Sequence, residues 1–276
     1  MSAAAGLVTV LFVPGSKPER IAKALASEAS VVCIDLEDSV PPPDKGRARV
    51  AALAAISAGE RRLALRINGI ATRAGLEDLL ALADAKTLPS LLFVPMVNSA
   101  AEVAIVAAVL GAGTPGIVPL IETVKGLSAA PEIAAASGVV AMMFGGGDFA
   151  AELGVQLAWE PLLAARGAFV LACAGAGLPA IDVPFIGLED VEGLLAETRA
   201  AKALGFSAKA TIHPAQVQPV NSVLRPTPEE VAEAEEAARV FAEAGGAAVR
   251  FRGRMLEAPI MRRYQRILAM RSMTDA

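Results

Sequence analysis

The sequence predicts an α/β protein: a (β/α)8 TIM barrel followed by a C-terminal helical lid segment. Three observations carry that expectation. Eight short apolar runs rich in Val, Ile and Leu recur along the chain. Alanine-rich stretches with helical spacing, such as "PERIAKALASEAS" and "NSAAEVAIVAAVLGAG", lie between them. The length, 276 residues, is ordinary for one barrel. Strand alternating with helix throughout implies a parallel sheet covered by helices, and eight such units close into a barrel.

The runs are "TVLFVPG" (9–15), "VVCIDLED" (31–38), "LALRIN" (63–68), "LLFVPMV" (91–97), "GIVPLIET" (116–123), "VVAMMFGGGD" (139–148), "LPAIDVPF" (178–185) and "SAKATIHP" (207–214). A doubly wound open sheet is the alternative, but no GxGxxG follows the first run. No linker or low-complexity tract divides the chain. Residues 1–226 are read as the barrel. Residues 227–276 are read as a helix and lid segment of the same domain, with a polar helix in "EEVAEAEEAARVFAEAGG" and then "RFRGRMLEAPIMRRYQRIL".

Composition narrows the function. With 54% hydrophobic and 20% charged residues, a large core is available. A net charge of −4 argues against a general nucleic-acid binder, which would carry a basic face. Cys33 and Cys173 sit in apolar stretches with no disulfide or metal spacing, so both are expected as buried thiols. The first residues, "MSAAAGLVTV", show no charged segment before their apolar run, and no run reaches the roughly 20 apolar residues of a membrane span. A cytoplasmic protein is expected.

The run at 31–38 ends with three carboxylates in four positions. Alternation along a strand turns Val32, Ile34 and Leu36 toward the helices and Cys33, Asp35 and Glu37 toward the barrel axis; Asp38 is left for the turn. Two carboxylates then point into the C-terminal mouth, where barrel enzymes keep their sites. Other run ends add polar residues: Arg66 and Asn68, Glu122, Asp148 after three glycines, and Lys209, Thr211 and His213 sharing one parity.

One histidine, His213, is too few for most zinc sites or a Ser-His-Asp arrangement. Proton transfer then falls on carboxylates, lysine or water. Glu122 and Asp148 end neighbouring strands, about 4.8 Å apart in a sheet. Two oxygen ligands so placed suit Mg²⁺, which keeps waters and takes further ligands from substrate; a pair bridged by Arg66 is the structural alternative. Arg66 is a fork suited to a carboxylate. Gly145, Gly146 and Gly147 leave the backbone open to a ligand. In "PGSKPERIAK", Lys17, Arg20 and Lys23 surround a helix start, which favours phosphate or is a solvated helix face.

These pieces resemble the citrate lyase β-subunit and malyl-CoA lyase family. The resemblance rests on "LFVPGSKPERIAKA", "VVCIDLEDSVPPPDKGRAR", "LRINGI", "IETVKGL", "FGGGDFAAELG", "AIDVPF" and "KATIHPAQV", in family order over nearly the whole chain. It implies a Mg²⁺-dependent carbon–carbon lyase that cleaves a 3-hydroxy-dicarboxyl-CoA to acetyl-CoA and a 2-oxoacid. It also implies metal ligands at Glu122 and Asp148, and an oxoacid-gripping arginine at Arg66. Phe12, Lys17, Lys23, Gly147 (beside the metal ligand), Ile212 and His213 would contact coenzyme A. Asp35, Glu37 and Lys45 would support the site. Glu257, on a segment lying over a neighbour's mouth in a trimer or hexamer, would move a proton. Three positions depart from the family pattern: Met96 for a usual lysine, Glu257 for a usual aspartate, and Lys17 for a common arginine. A metal-dependent 4-hydroxy-2-oxoacid aldolase, and the β subunit of a multiprotein citrate lyase fed by a carrier protein, are the alternatives.

Overall fold

The computed structural model describes residues 6–274; the first five residues of the N-terminal stretch read above lie outside them. Eight strands form a closed parallel barrel: β1 (Thr9–Pro14), β2 (Val31–Asp35), β3 (Leu63–Arg66), β4 (Leu91–Val94), β5 (Gly116–Ile121), β6 (Met142–Phe144), β7 (Ala180–Asp182) and β8 (Ala208–Thr211). Around them run α1 (Glu19–Leu25), α2 (Lys45–Ser57), α3 (Arg73–Ala83), α4 (Ala100–Leu110), α5 (Val124–Ser128), α6 (Ala130–Ala134), α7 (Gly146–Leu153), α8 (Trp159–Gly175), α9 (Val191–Leu204) and α10 (Val217–Leu224). Each strand pairs with its sequence neighbour, and β8 returns to β1. This is the predicted barrel.

Alternation sorts the apolar residues into two layers. Val10, Cys33, Ala64, Phe93, Val118, Leu120, Met143, Ile181, Ala208 and Ala210 fill the interior. Val32, Ile34, Leu63, Leu65, Leu92, Val94, Ile117 and Ile121 pack outward with helix residues such as Ala48, Ala52, Leu79 and Val106. A strand covered on both faces must be apolar on both, which is why the runs read as continuous apolar stretches. Both cysteines are buried free thiols. Strands two to eight stop two to four residues before their runs do, because at the mouth the backbone turns away to present its polar ends.

One parity falls on the other side from that expected. Ala208 and Ala210 occupy the interior, so Lys209 and Thr211 face the helices. Lys209 Nζ, fully buried, donates to Asp182 Oδ2 at 2.7 Å, Val183 O at 2.7 Å and Glu197 Oε1 at 2.8 Å. Arg166 Nε completes the group at 3.0 Å from Asp182 Oδ1.

The described residues fall into two compact units, divided between Leu224 and Arg225. The second holds α11 (Pro228–Glu243), a hairpin of β9 (Val249–Phe251) and β10 (Arg254–Leu256), and α12 (Ala258–Thr274). Thr227 and Glu230 form a reciprocal capping box on α11. Arg252 (φ 46°) and Gly253 (φ 79°) make the two-residue turn, whose positive φ values match the hairpin twist. Ala234, Ala237, Phe251, Leu256, Met261 and Tyr264 form this unit's own core. Among the described residues no helix is long and apolar enough to cross a membrane.

Candidate active site

The mouth is built from the exits of β2, β3, β5 and β6. Asp35 is opposite Arg66 in the β2–β3 register. The guanidinium grips it side-on, Nε to Oδ1 at 2.7 Å and Nη2 to Oδ2 at 2.8 Å. Asp35 also accepts the backbone N–H groups of Glu37 and Ser39. Burial alone would raise its pKa, but Arg66 and these donors together hold it below the usual carboxylate value.

Arg66 Nη1 lies 2.7 Å from Glu37 Oε2 and 3.3 Å from Asp38 Oδ2. The Glu37 contact is an ion pair without hydrogen-bond alignment, leaving that buried oxygen with no hydrogen bond. The Arg66 guanidinium stacks 5.2 Å over the Phe12 ring, which in turn packs edge-on to Phe93. Phe12 is thus a platform under the arginine. Asn68, expected in the mouth, turns instead to α3, where its side chain and backbone N–H both donate to buried Asp78.

Glu122 follows β5 in the interior parity of Val118 and Leu120, and is buried. Its Oε2 accepts the backbone N–H of Met96 at 2.6 Å. Met96 reaches it from a left-handed backbone (φ 56°), unusual outside glycine. A Cβ at Gly145 would meet Glu122 Cγ at 2.1 Å, so this glycine makes room for the carboxylate. Gly146 is hemmed in by Leu157, Phe144 and Val183; of the three glycines, Gly147 has open space around it. The expectation that all three expose backbone is corrected to Gly147. Asp148 belongs to the first turn of α7 and not to the strand end, and it is exposed.

The electrostatics follow from crowding. Burial, opposed by Arg66 and reinforced by Glu122, Asp38 and Asp35, pushes Glu37 up to about 8. Burial, opposed by the Met96 amide and Arg66 and reinforced by Asp148 and Asp38, pushes Glu122 up to about 7. Burial and Asp38 raise Asp148. Shared influence of this kind joins Asp35, Glu37, Asp38, Arg66, Glu122 and Asp148 into one field. Among the described residues no group of three or more His, Cys, Asp or Glu side chains is assembled as a ready metal cage. The charged donors of the mouth are carboxylate oxygens, the ligand type that hard divalent cations take.

The other predicted positions lie around this centre or in the second unit. Lys17 is in the loop after β1 and Lys23 on α1; both are exposed. Ile212 and His213 follow β8 and are exposed, and His213 Nδ1 accepts the Ala215 N–H at 3.2 Å. Because β8 pairs with β1, these residues share one sector of the rim. Lys45 Nζ donates to Leu36 O at 2.9 Å and Glu37 O at 2.7 Å. Glu257 precedes α12 in the second unit and is exposed. The sequence reading missed Asp78 and Arg49, paired at 2.6 Å on α3 and α2; charged residues on amphipathic helices read as solvated. A surface hollow lined by Arg199, Lys202, Ser222 and Val223 lies on α9 and α10, and Lys202 already caps Val223 O there.

Closed parallel barrel and acidic, arginine-bearing mouth together define a (β/α)8 enzyme with an oxygen-rich site. The chain belongs to the HpcH/HpaI aldolase/citrate lyase family, whose model matches residues 8–214. It is 35% identical to the L-malyl-CoA/beta-methylmalyl-CoA lyase of Cereibacter sphaeroides, covering 96% of this chain and 95% of that one. It is 36% identical to the (3S)-malyl-CoA thioesterase of the same species, covering 86% and 83%. Among solved structures, CitE of Mycobacterium tuberculosis, in complex with magnesium, acetoacetate and coenzyme A, superimposes with a TM-score of 0.80 at 34% identity, covering 98% and 99% of the two chains.

Proposed function

We propose that this chain is a Mg²⁺-dependent carbon–carbon lyase that cleaves a malyl-CoA- or citramalyl-CoA-type thioester to acetyl-CoA and a 2-oxoacid. The observation that carries this reading is the charge imbalance of the mouth, where Asp35, Glu37, Asp38, Glu122 and Asp148 gather around the Arg66 guanidinium. An oxygen-only donor set whose members raise one another's pKa values favours a hard divalent cation. Glu122 and Asp148 would hold the ion. When bound, it supplies Lewis-acid polarisation of the oxoacid oxygens.

The chain's own residues do the rest. Asp35 occupies the Nε–Nη2 edge of Arg66 while Glu37 and Asp38 lie against Nη1, so an incoming carboxylate takes the Nη1–Nη2 edge by displacing those two from Nη1. Phe12 holds the guanidinium plane from below. Lys17, Lys23, Ile212 and His213 would give coenzyme A a track along the β8–β1 sector, with Gly147 at the β6 exit beside the metal ligands. The bond between the carbinol carbon and the thioester's α-carbon breaks. Its electron pair stays with the acetyl fragment, the hydroxyl proton leaves as the keto group forms, and a proton is returned to the α-carbon. Glu257 would deliver that proton from the lid of a neighbouring subunit in a homo-oligomer.

The purified protein, supplied with Mg²⁺ and malyl-CoA or citramalyl-CoA, should yield acetyl-CoA with glyoxylate or pyruvate by mass spectrometry. The thioesterase relative makes hydrolysis the second reading: malate and free coenzyme A would replace the lyase assignment with it. Cleavage only of coenzyme-free 4-hydroxy-2-oxoacids, or only of a thioester carried on protein, would do the same for the aldolase or citrate lyase subunit. For the lid, Glu257→Ala should assemble yet turn over slowly, and mixing it with Arg66→Ala under subunit exchange should restore activity. A confirmed mixed oligomer with no recovery ends the crossed-lid proposal.

A further inference from the structure

Arg66 is fixed at the mouth by Asp35, but something must fix the β3 exit that carries it. Two residues after Arg66, Asn68 sends its backbone N–H (2.9 Å) and side-chain amide (2.6 Å) to the same oxygen, Asp78 Oδ2. Asp78 lies on α3 and is 1% exposed. Its other oxygen accepts Arg49 Nε from α2 at 2.6 Å. Arg49 is one helical turn after Lys45, so both side chains leave the same face of α2. Lys45 Nζ donates to the carbonyls of Leu36 and Glu37 at the β2 exit, directly after Asp35. A circuit of polar contacts therefore closes: Asp35 to Arg66, along the chain to Asn68, then Asp78, Arg49, α2, Lys45 and back to the β2 exit.

The packing leaves this circuit little play. A Cβ at Gly75 would sit 2.1 Å from Gly69 O and 2.6 Å from Asn68 O, so α3 begins jammed against the turn after β3. Thr72 Oγ1 donates to Gly69 O and accepts Gly75 N–H, locking that turn to the helix start. Arg49 is held further by Glu77 at 3.1 Å. A buried ion pair adds little net stability over apolar residues of the same shape, whereas its geometry is specific. The directional content of the Arg49–Asp78 pair is therefore where its value lies.

We infer that Asp78 and Arg49 are positioning residues of the site: with Lys45 on the same helix as Arg49 they set the β2 and β3 exits against each other, and so fix the angle at which Arg66 presents its Nη1–Nη2 edge. The geometric part stands alone; its effect on oxoacid binding rests on the proposed function.

Two measurements separate those parts. The Arg66 side-chain Nε–H resonance, identified by its disappearance in Arg66→Lys, reports the Asp35 grip without reference to activity. Asp78→Asn, and Asn68→Ala with the Arg49–Asp78 pair intact, should both shift that resonance and speed its exchange with solvent. In the same proteins with Mg²⁺, the dissociation constants of glyoxylate and pyruvate should rise roughly tenfold or more, since a misplaced positioning group costs up to about 100-fold. The KM for the coenzyme A ester should change less than the oxoacid constants. The double variant Arg49→Met/Asp78→Leu should regain thermal stability relative to Asp78→Asn without regaining oxoacid binding. An unchanged resonance in folded Asp78→Asn and Asn68→Ala overturns the inference. So does oxoacid binding that returns together with stability in the double variant, which would make the pair a packing element. A shifted resonance in a protein whose wild type binds no oxoacid and cleaves no coenzyme A ester sinks the functional reading and leaves the positioning role standing.

Discussion

Two of the charged clusters in the barrel unit are built on opposite terms. Behind β7 and β8, Arg166 and Lys209 meet Asp182 and Glu197, two cations against two anions, with Arg166, Lys209 and Asp182 fully buried. Arg166 also stacks on Trp159 at 4.7 Å and Phe144 at 5.7 Å. At the mouth, Asp35, Glu37, Asp38, Glu122 and Asp148 face Arg66, and crowding pushes Glu37 up to about 8 and Glu122 up to about 7. A balanced cluster needs nothing further from outside, whereas an unbalanced one is a site in waiting for positive charge. Sign balance thus separates a tie between layers from a place where chemistry is prepared, although both are polar groups at or near strand ends.

Three substitutions put that contrast at risk. Glu122→Gln should give the largest effect, lowering Mg²⁺-dependent turnover by about 10³-fold, as removal of a charge-stabilising group from a preorganised site does. Its metal-free melting temperature should hold or rise, because one repelling charge is gone. Retained turnover, or a marked loss of stability, would place Glu122 with the balanced kind. Gly145→Ala comes next. The new methyl falls on Glu122 Cγ, so the carboxylate must move, and turnover measured at saturating substrate should drop by about 100-fold for an error of about 1 Å. Full activity would show that Glu122 has room the structure does not give it. Lys209→Met should change turnover per folded molecule least. It leaves Asp182 Oδ2 and Glu197 without their cation, with Arg166 alone on Asp182 Oδ1, and chemical denaturation should report a loss of about 3–5 kcal/mol. A variant that stays stable but loses catalysis would erase the distinction between the clusters.

Much of the barrel was legible because period-two alternation and the strand–helix rhythm are properties of neighbouring residues. The interior placement of Cys33, Asp35 and Glu122 followed from parity alone. Parity groups residues on one face but does not say which face, and strand eight shows the consequence. Lys209 and Thr211 share a side, yet small Ala208 and Ala210 fill the crowded interior and send them outward. Asn68 lies past the end of its strand, where alternation no longer applies. Asp148 followed glycines that read as a strand end, but the chain had already begun a helix. The hairpin at 249–256 carries its signal in Arg252-Gly253, a turn pair flanked by alternating residues, which a long arginine-rich run concealed. Asp78 and Arg49 were invisible for a different reason: their importance comes from meeting each other across 29 positions.

One detail of the rim has a further consequence. Glu122 is tethered to residue 96 through a main-chain amide, a group every residue except proline supplies. The left-handed backbone there costs a non-glycine residue about 1–2 kcal/mol, and the amide contact helps to offset it. The side chain at 96, half turned to solvent, is thereby uncoupled from the carboxylate's location. It becomes an interchangeable part: a charge, a thioether or a hydrogen can occupy that rim position while the anionic oxygen stays where it is. Substrate preference at this edge can therefore drift without disturbing the machinery beneath it.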